Sequence, residues 1–159
     1  REGLTAAAIV CEAAAGLTPQ HEPEVRVFAL LRNSLRQMDR GFAGRAVQSP
    51  LVLGVLLKLL HEAGYLPVLD QCAACGSGGR ILGFSAARGG LVCGDCGAEA
   101  VPITPEAVTA LLEGISLPLA ELRTRPASSG VGEALRDVHQ LYAYHTGARL
   151  RALRSAAAG

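Results

Sequence analysis

The sequence has no tryptophan, one methionine, three phenylalanines and three tyrosines, so aromatic residues make up only 4% of its 159 positions. Lys58 is its single lysine. The net charge of +1 excludes a global basic field of the kind that draws a whole domain to nucleic acid. The most apolar run, residues 51–60, is far shorter than the roughly 20 residues that cross a bilayer, and no segment has the pattern of a signal peptide.

Half of the sequence is hydrophobic, mostly alanine, leucine and valine. Alanine and leucine favour helices, whereas strands are richer in β-branched and aromatic residues. The length suits one domain, or a domain with a small appendage. Composition therefore predicts a mainly helical protein.

Four cysteines form two C-x-x-C pairs, each followed by a glycine, and seventeen residues separate the second cysteine of one pair from the first of the next. Each motif can wrap around a cation and offer two thiolates, and two motifs complete a tetrahedral site. Gly76 and Gly97 allow tight turns in which backbone amides point at the sulfurs. The spacing is typical of zinc, and four thiolates leave no position for water or substrate, so we expect one structural Zn²⁺. The expected ligands are Cys72, Cys75, Cys93 and Cys96.

Three other interpretations of the cysteines remain open. Two disulfides would fit an oxidising compartment, which the chain does not otherwise indicate. A dithiol redox site would need one C-x-x-C motif beside a βαβ unit, and no such unit is evident. A four-thiolate iron site uses similar turns, and the spacing alone does not distinguish it from zinc.

Three helix-forming segments precede the cysteines. Residues 4–15 end before Gly16, residues 23–40 carry an apolar stripe, and residues 51–63 are apolar nearly all round. A helix that is apolar all round is normally central in a bundle, so the third segment is the expected centre. The stripe of the second segment predicts a buried face made of Phe28, Leu31, Leu35 and Met38.

A short β-hairpin is expected between the cysteine pairs, with residues 80–85 and 91–92 as its strands and Gly89 and Gly90 in its turn. So small a hairpin is marginally stable alone, and metal binding would supply folding free energy. Further along, Thr104-Pro105-Glu106 predicts a helix start, and residues 132–154 predict one closing helix.

The expected architecture is therefore a mainly α helical bundle with an inserted zinc-binding β-hairpin that carries the four cysteines. Residues 1–71 would form the first part of the bundle, 72–97 the hairpin and 98–159 the second part.

The order of the motifs is similar to that of one family. L-L-x-x-x-G-Y-x-P-x-L-D (59–70) leads into the first cysteine pair, and G-G-L-V-C-x-x-C (89–96) contains the second. I-T-P-E-A (103–107) and L-Y-A-Y-H-x-G-x-R-L-R-A-L-R-S (141–155) follow. This arrangement resembles the C-terminal region of the RecO family, the bacterial recombination mediators of DNA repair. The resemblance covers essentially the whole chain.

The resemblance implies a non-enzymatic protein of the RecF pathway. Such proteins bind DNA, anneal complementary strands, engage the C-terminal tail of single-strand-binding protein, and work with RecR to help load RecA. It also implies a cytoplasmic, nucleoid-associated protein. Family members have an N-terminal OB barrel, which we expect to be absent before Arg1, so DNA would be handled mainly outside this chain. Some members lack the four cysteines, which implies an architectural metal.

Candidate contact residues are arginines. Arg149, Arg151 and Arg154 lie in a closing segment without acidic residues. One interpretation is that their charges interact favourably with the negative pole of a helix end. The other is that they bind phosphates or an acidic peptide. Arg80 and Arg88 border the hairpin and are candidates for DNA backbone contacts.

No catalytic residues are expected. No Ser-His-Asp set, phosphate-binding loop or paired-carboxylate motif is recognisable. His61, His139 and His145 lack partners at metal-ligand spacing, so each is interpreted as a surface histidine or a satisfied core histidine. The alternative function, from a different class, is a zinc-stabilised interaction domain of a transcription or translation factor.

Overall fold

The computed structural model describes residues 1–22 and 24–159. Within them the chain forms seven α-helices, one 3-10 turn (Ala46–Gln48) and a three-stranded antiparallel sheet. The helices are α1 (Glu2–Leu17), α2 (Val25–Asp39), α3 (Pro50–Glu62), α4 (Pro105–Ser116), α5 (Leu119–Thr124), α6 (Ser129–Thr146) and α7 (Arg151–Ala158). The strands are β1 (Ile81–Ser85), β2 (Gly90–Cys93) and β3 (Val101–Pro102). The predicted helical bundle with an inserted cysteine-bearing hairpin is confirmed.

Helix α3 is the centre of the bundle, as its all-round apolar sequence predicts. Ten of its thirteen residues are buried, and it contacts α1, α2, α4, α5 and α6. Two glycines let α3 approach its neighbours closely: a Cβ on Gly54 would collide with Leu122 of α5 and lie 3.2 Å from the Gly114 carbonyl oxygen of α4, and a Cβ on Gly114 would lie 2.7 Å from Leu57 Cδ1. The apolar centre therefore depends on small residues at the crossing as well as on leucines.

Lys58 lies on α3, and its side chain caps the C-terminal end of the neighbouring helix α4. Its Nζ donates hydrogen bonds to the carbonyls of Gly114 (2.8 Å) and Leu117 (3.0 Å) at the end of α4. Carbonyls in the last turn of a helix have no partner within the helix, so the ammonium satisfies them. Burial lowers the pKa of Lys58.

Two of the four residues predicted to form the buried stripe of α2 are exposed. Met38 is buried as expected, but Phe28 is 66% exposed and Leu35 is 39% exposed. The face turned to the core instead includes Ser34 and Gln37. Apolar residues occupy much of the circumference of α2, so periodicity alone did not determine which side would pack.

The single closing helix predicted for residues 132–154 is also wrong. The chain forms α6 and then α7, separated by Gly147 in the left-handed region (φ +72°). The Gly147 N–H bonds the Ala143 carbonyl at 2.9 Å, as is usual where a glycine ends a helix. At the other end, Ser128 Oγ accepts from the Val131 N–H at 3.2 Å, so α6 begins earlier than predicted.

The sheet has the order β2-β1-β3 and contributes two buried side chains to the helical core. Phe84 pairs with Leu91 across the hairpin, and both side chains are 1% exposed in the same core cluster as the helical leucines. The third strand, Val101–Pro102, lies beyond the predicted hairpin segment 72–97 and pairs with β1. The hairpin is thus joined to the bundle through its own apolar face.

In residues 1–22 and 24–159, no helix combines the length and apolar character that a membrane span requires.

Asp137 is a buried acid in α6. It is 2% exposed, and its Oδ2 has no hydrogen-bond partner in the described part of the chain. Burial raises the pKa of Asp137 to about 7 from 3.8, and the nearby Glu133 adds to this while Arg136 opposes it. The folded state therefore retains a proton that the unfolded state has lost between about pH 4 and pH 7, and stability falls as pH rises through this window.

We expect Asp137→Asn to reduce the loss of stability that accompanies the rise in pH. Between about pH 5 and pH 8 the unfolding free energy of the unchanged chain should fall by about 2–3 kcal/mol more than that of the variant. Urea unfolding at the two pH values measures the difference, with the exposed Asp39→Asn as the matched control. Parallel pH profiles for the chain and Asp137→Asn would contradict the raised pKa.

Candidate metal centre

The first cysteine pair lies in a tight turn between α3 and β1. The Gly76 N–H bonds the Cys72 carbonyl at 2.8 Å, and Gly76 has φ +72°, a conformation that favours glycine. The Cys72 N–H bonds the Ser77 carbonyl at 2.8 Å, and the Ala73 N–H bonds the carbonyl of Leu91 on β2 at 2.7 Å. These bonds fix the first turn against the strand that carries Cys93.

The second pair begins on β2 itself. Cys93 ends the strand, and the Cys96 N–H bonds the Cys93 carbonyl at 3.2 Å. Gly97 occupies a tight position: a Cβ there would lie 3.0 Å from the Cys93 carbonyl oxygen. Both glycines of the motif thus permit tight turns, one through its backbone angle and the other through close approach.

The four sulfurs converge. One Sγ from each of the four cysteines lies within 4.8 Å of all the others, and Cys75 Sγ and Cys93 Sγ are 3.9 Å apart. All four are free cysteines. A tetrahedral ion with metal–sulfur bonds of about 2.3 Å separates its sulfurs by about 3.8 Å. The spacing therefore fits four ligands around one ion, and Cys72 and Cys93 are the buried pair.

Backbone amides point at the sulfurs, as a thiolate site requires. The Cys93 N–H lies 3.4 Å from Cys72 Sγ, and hydrogen bonds from Cys93 and Cys75 lower the pKa of Cys72 to about 6. Sharing hydrogen bonds with the sulfurs of Cys75 and Cys93 raises the pKa of Cys96 to about 12. Four thiolates this close repel one another, so a divalent cation is the partner that suits the whole set.

Two adjoining cavities, of about 910 Å³ and about 610 Å³, lie along α6 and α7 and share Arg136, His139 and Arg154 in their walls. We call them together the basic cleft. Five arginines line the basic cleft: Arg45, Arg136, Arg149, Arg151 and Arg154.

The structure separates the two arginines that border the hairpin. Arg88 lies in the β1–β2 turn, and Ala86 of this turn lines the smaller cavity. Arg80 precedes β1 at its opposite, cysteine-bearing end. The three arginines of the closing segment lie together at the basic cleft, and only one of the two hairpin arginines belongs to a turn that borders it.

The helix-end explanation of the closing arginines is wrong for two of them. Arg151 and Arg154 lie in the first turn of α7, where the helix dipole disfavours cations. Glu12 of α1 caps that end, accepting from the Arg151 and Ala152 N–H groups at 2.9 Å each. Burial opposes ionisation of Glu12, but these bonds and the Arg151 charge outweigh it and lower its pKa.

Sequence reasoning missed Arg45, Arg136 and Tyr144 as cleft residues. Arg45 precedes a 3-10 turn far from α7 in sequence, and its guanidinium donates to the Ala156 carbonyl at 2.7 Å. No local pattern links such distant residues. His139 was interpreted as either a surface histidine or a satisfied core histidine, and the structure shows a satisfied one: its Nε2 accepts from the Leu150 N–H at 2.9 Å and ties the start of α7 to α6.

Comparison with known proteins agrees with this arrangement. The family model described as "Recombination protein O C terminal" matches residues 1–154. The chain is 36% identical over 145 residues to the DNA repair protein RecO of Myxococcus xanthus, covering 86% of this chain and 54% of that protein. It is 38% identical over 124 residues to RecO of Rubrobacter xylanophilus, covering 73% of this chain and 47% of that protein.

The chain therefore spans about half the length of the curated relatives that it matches. The family match extends over nearly all of the chain and includes both cysteine pairs as well as α6 and part of α7. The chain belongs to the RecO C-terminal family.

Proposed function

We propose that the chain is the helical, metal-bearing region of a non-enzymatic mediator of DNA repair and homologous recombination, of the RecF pathway type. Family membership is the observation that carries the proposal. It favours this function over an interaction domain of a transcription or translation factor, since the relatives are named DNA repair proteins. In this proposal residues 1–71 and 98–159 form the bundle and residues 72–97 the metal hairpin.

The proposed metal is a structural Zn²⁺ held by Cys72, Cys75, Cys93 and Cys96. Supporting it are the convergence of four sulfurs and the amides aimed at them. Four thiolates close a tetrahedral sphere, so the ion would stabilise the fold and leave no position for a substrate. The metal thereby anchors the hairpin to the bundle, which presents the surfaces for partners.

The proposed partners are RecR, the C-terminal tail of single-strand-binding protein, and DNA. In this role the protein would support strand annealing and the loading of RecA. A scaffold with a closed metal site and a separate cleft of arginines suits binding better than chemistry. The proposed location is the cytoplasm, in association with the nucleoid.

The test asks whether the natural gene product, immobilised on a support, captures these partners. We expect the immobilised, metal-loaded protein to retain purified RecR and single-strand-binding protein, and to anneal complementary strands coated with the latter. Single-strand-binding protein without its C-terminal tail is the control and should be retained at least about tenfold less. A folded protein that neither captures these partners nor anneals strands would contradict the proposed function.

A further inference from the structure

The basic cleft has an uncompensated positive charge. Neither cavity has an aspartate or a glutamate in its wall. Arg151 is paired with Glu12 at 3.6 Å, but within residues 1–22 and 24–159 no ion pair engages Arg136, Arg149 or Arg154. All three are exposed. Three guanidinium groups are thus available to an anion, and guanidinium is well suited to phosphate.

The three arginines share a cavity wall with one imidazole: His139 lines the smaller cavity together with Arg136, Arg149 and Arg154. Burial lowers the pKa of His139, and the charges of Arg149 and Arg154 lower it further, while Glu12 opposes them. The Nε2 of His139 is already engaged by the Leu150 N–H. His139 therefore adds an uncharged wall to the basic cleft, and the positive charge comes from the arginines alone.

An exposed aromatic ring stands at the edge of the basic cleft. Tyr144 lines the smaller cavity and is 59% exposed. Its ring meets His145 edge-on, with centroids 5.5 Å apart, and His145 in turn stacks on Tyr65 at 4.1 Å. Tyr144 is thus supported from one side while most of its surface remains open. It lies two helical turns, or about 12 Å, beyond Arg136 on α6.

Guanidinium groups beside an open aromatic ring are the combination that single strands require. Phosphates pair with the arginines, and an unpaired base can stack on the ring. The phosphates of a duplex would also pair with the arginines. The bases of a duplex would not contact Tyr144, because they are already stacked on one another. The carboxylates of an acidic peptide would pair with the arginines but, unlike bases, would not stack on the ring.

We propose that the basic cleft binds single-stranded nucleic acid, with Arg136, Arg149 and Arg154 pairing with phosphates and Tyr144 stacking on a base. The inference rests on the proposed function to the extent that repair supplies single strands as the ligand. It adds a DNA contact within the helical region itself. The contact is expected to be weak, because few phosphates are engaged.

The experiment measures binding of a short fluorescein-labelled oligo-dT by anisotropy, using the metal-loaded chain at about 50 mM and about 200 mM NaCl. Changing Arg136, Arg149 and Arg154 together to alanine should weaken binding at least tenfold. The slope of log affinity against log salt should become shallower by about 2, since each single-strand phosphate contact contributes about 0.7.

Tyr144→Ala should weaken binding about fivefold or more and leave the salt slope unchanged, because stacking is not ionic. Tyr144→Phe keeps the ring and should bind like the unchanged chain. The matched control removes three other exposed arginines, Arg26, Arg36 and Arg40 of α2 and its C-terminal end, and should retain affinity. Circular dichroism establishes that each variant is folded.

Three results would overturn the inference. The first is unchanged oligo-dT binding in the folded triple variant. The second is an equal loss in the α2 control, which would mean that charge alone acts. The third is binding of a labelled acidic peptide, lost in the triple variant, with no oligo-dT binding. If partner capture succeeds while any of these occurs, the cleft inference fails alone; if capture fails while the cleft binds oligo-dT as expected, the proposed function fails alone.

Discussion

Removing the metal with a chelator, or changing Cys72 to serine, is expected to detach the three-stranded sheet and leave most of the helical circular dichroism. The thermal midpoint should fall by about 10 °C or more, because losing about 3 kcal/mol or more of metal-linked folding energy moves a domain of this size that far. Phe84 and Leu91 would then leave the main core, so the effect should extend into the bundle.

Metal analysis provides the accompanying measurement and should return one zinc per chain. Cys11→Ser is the control, because Cys11 is an exposed cysteine outside the cluster and should keep both metal and stability. A Cys72→Ser chain that retains full zinc and an unchanged midpoint would contradict the proposed site. Iron in place of zinc would overturn the proposed identity of the metal.

Phe84→Ala is expected to cost about 3–5 kcal/mol of unfolding free energy, measured by urea unfolding. The side chain is 1% exposed and lies among helical core residues, and truncating a buried phenylalanine leaves a cavity. Leu82→Ala on the same strand is the matched control. Leu82 is 46% exposed, at the point where the register shifts between Ile81 and Gly83, so its truncation should cost less than about 1 kcal/mol.

The two experiments can be combined. If the metal holds the sheet against the bundle, Phe84→Ala should cost much less after chelation, because the side chain has already left the core. A cost that is the same with and without metal would show that the sheet stays docked without the ion.

The cysteine site could be predicted from sequence because its ligands are grouped in two short motifs with glycines at the turns. The start of α4 was equally local: Thr104 caps the helix, accepting from the Ala107 N–H at 3.3 Å. The all-round apolar sequence of α3 predicted its central place for the same reason, since its composition leaves no solvent-facing side.

The basic cleft could not be predicted in this way. Arg45 and Arg154 line the same cavity only because the chain turns after α6 and packs α7 against α1 and the 3-10 turn, and that change of direction includes Gly147 in the left-handed region. The glycine was a local signal for a helix end, but the apolar periodicity continued across it and favoured one long helix. The buried side of α2 was likewise decided by its packing partners, as the exposed Phe28 shows.

Reagents that react with lysine amines will label this chain poorly, because Lys58 is the one lysine side chain that they could reach. It is the only lysine, and its amine is held by the carbonyls that end α4. Amine-reactive cross-linkers will therefore report few of the contacts that this surface makes, and arginine- or carboxylate-directed reagents will suit it better. The rate at which Lys58 becomes labelled would instead measure how often the junction of α3 and α4 opens.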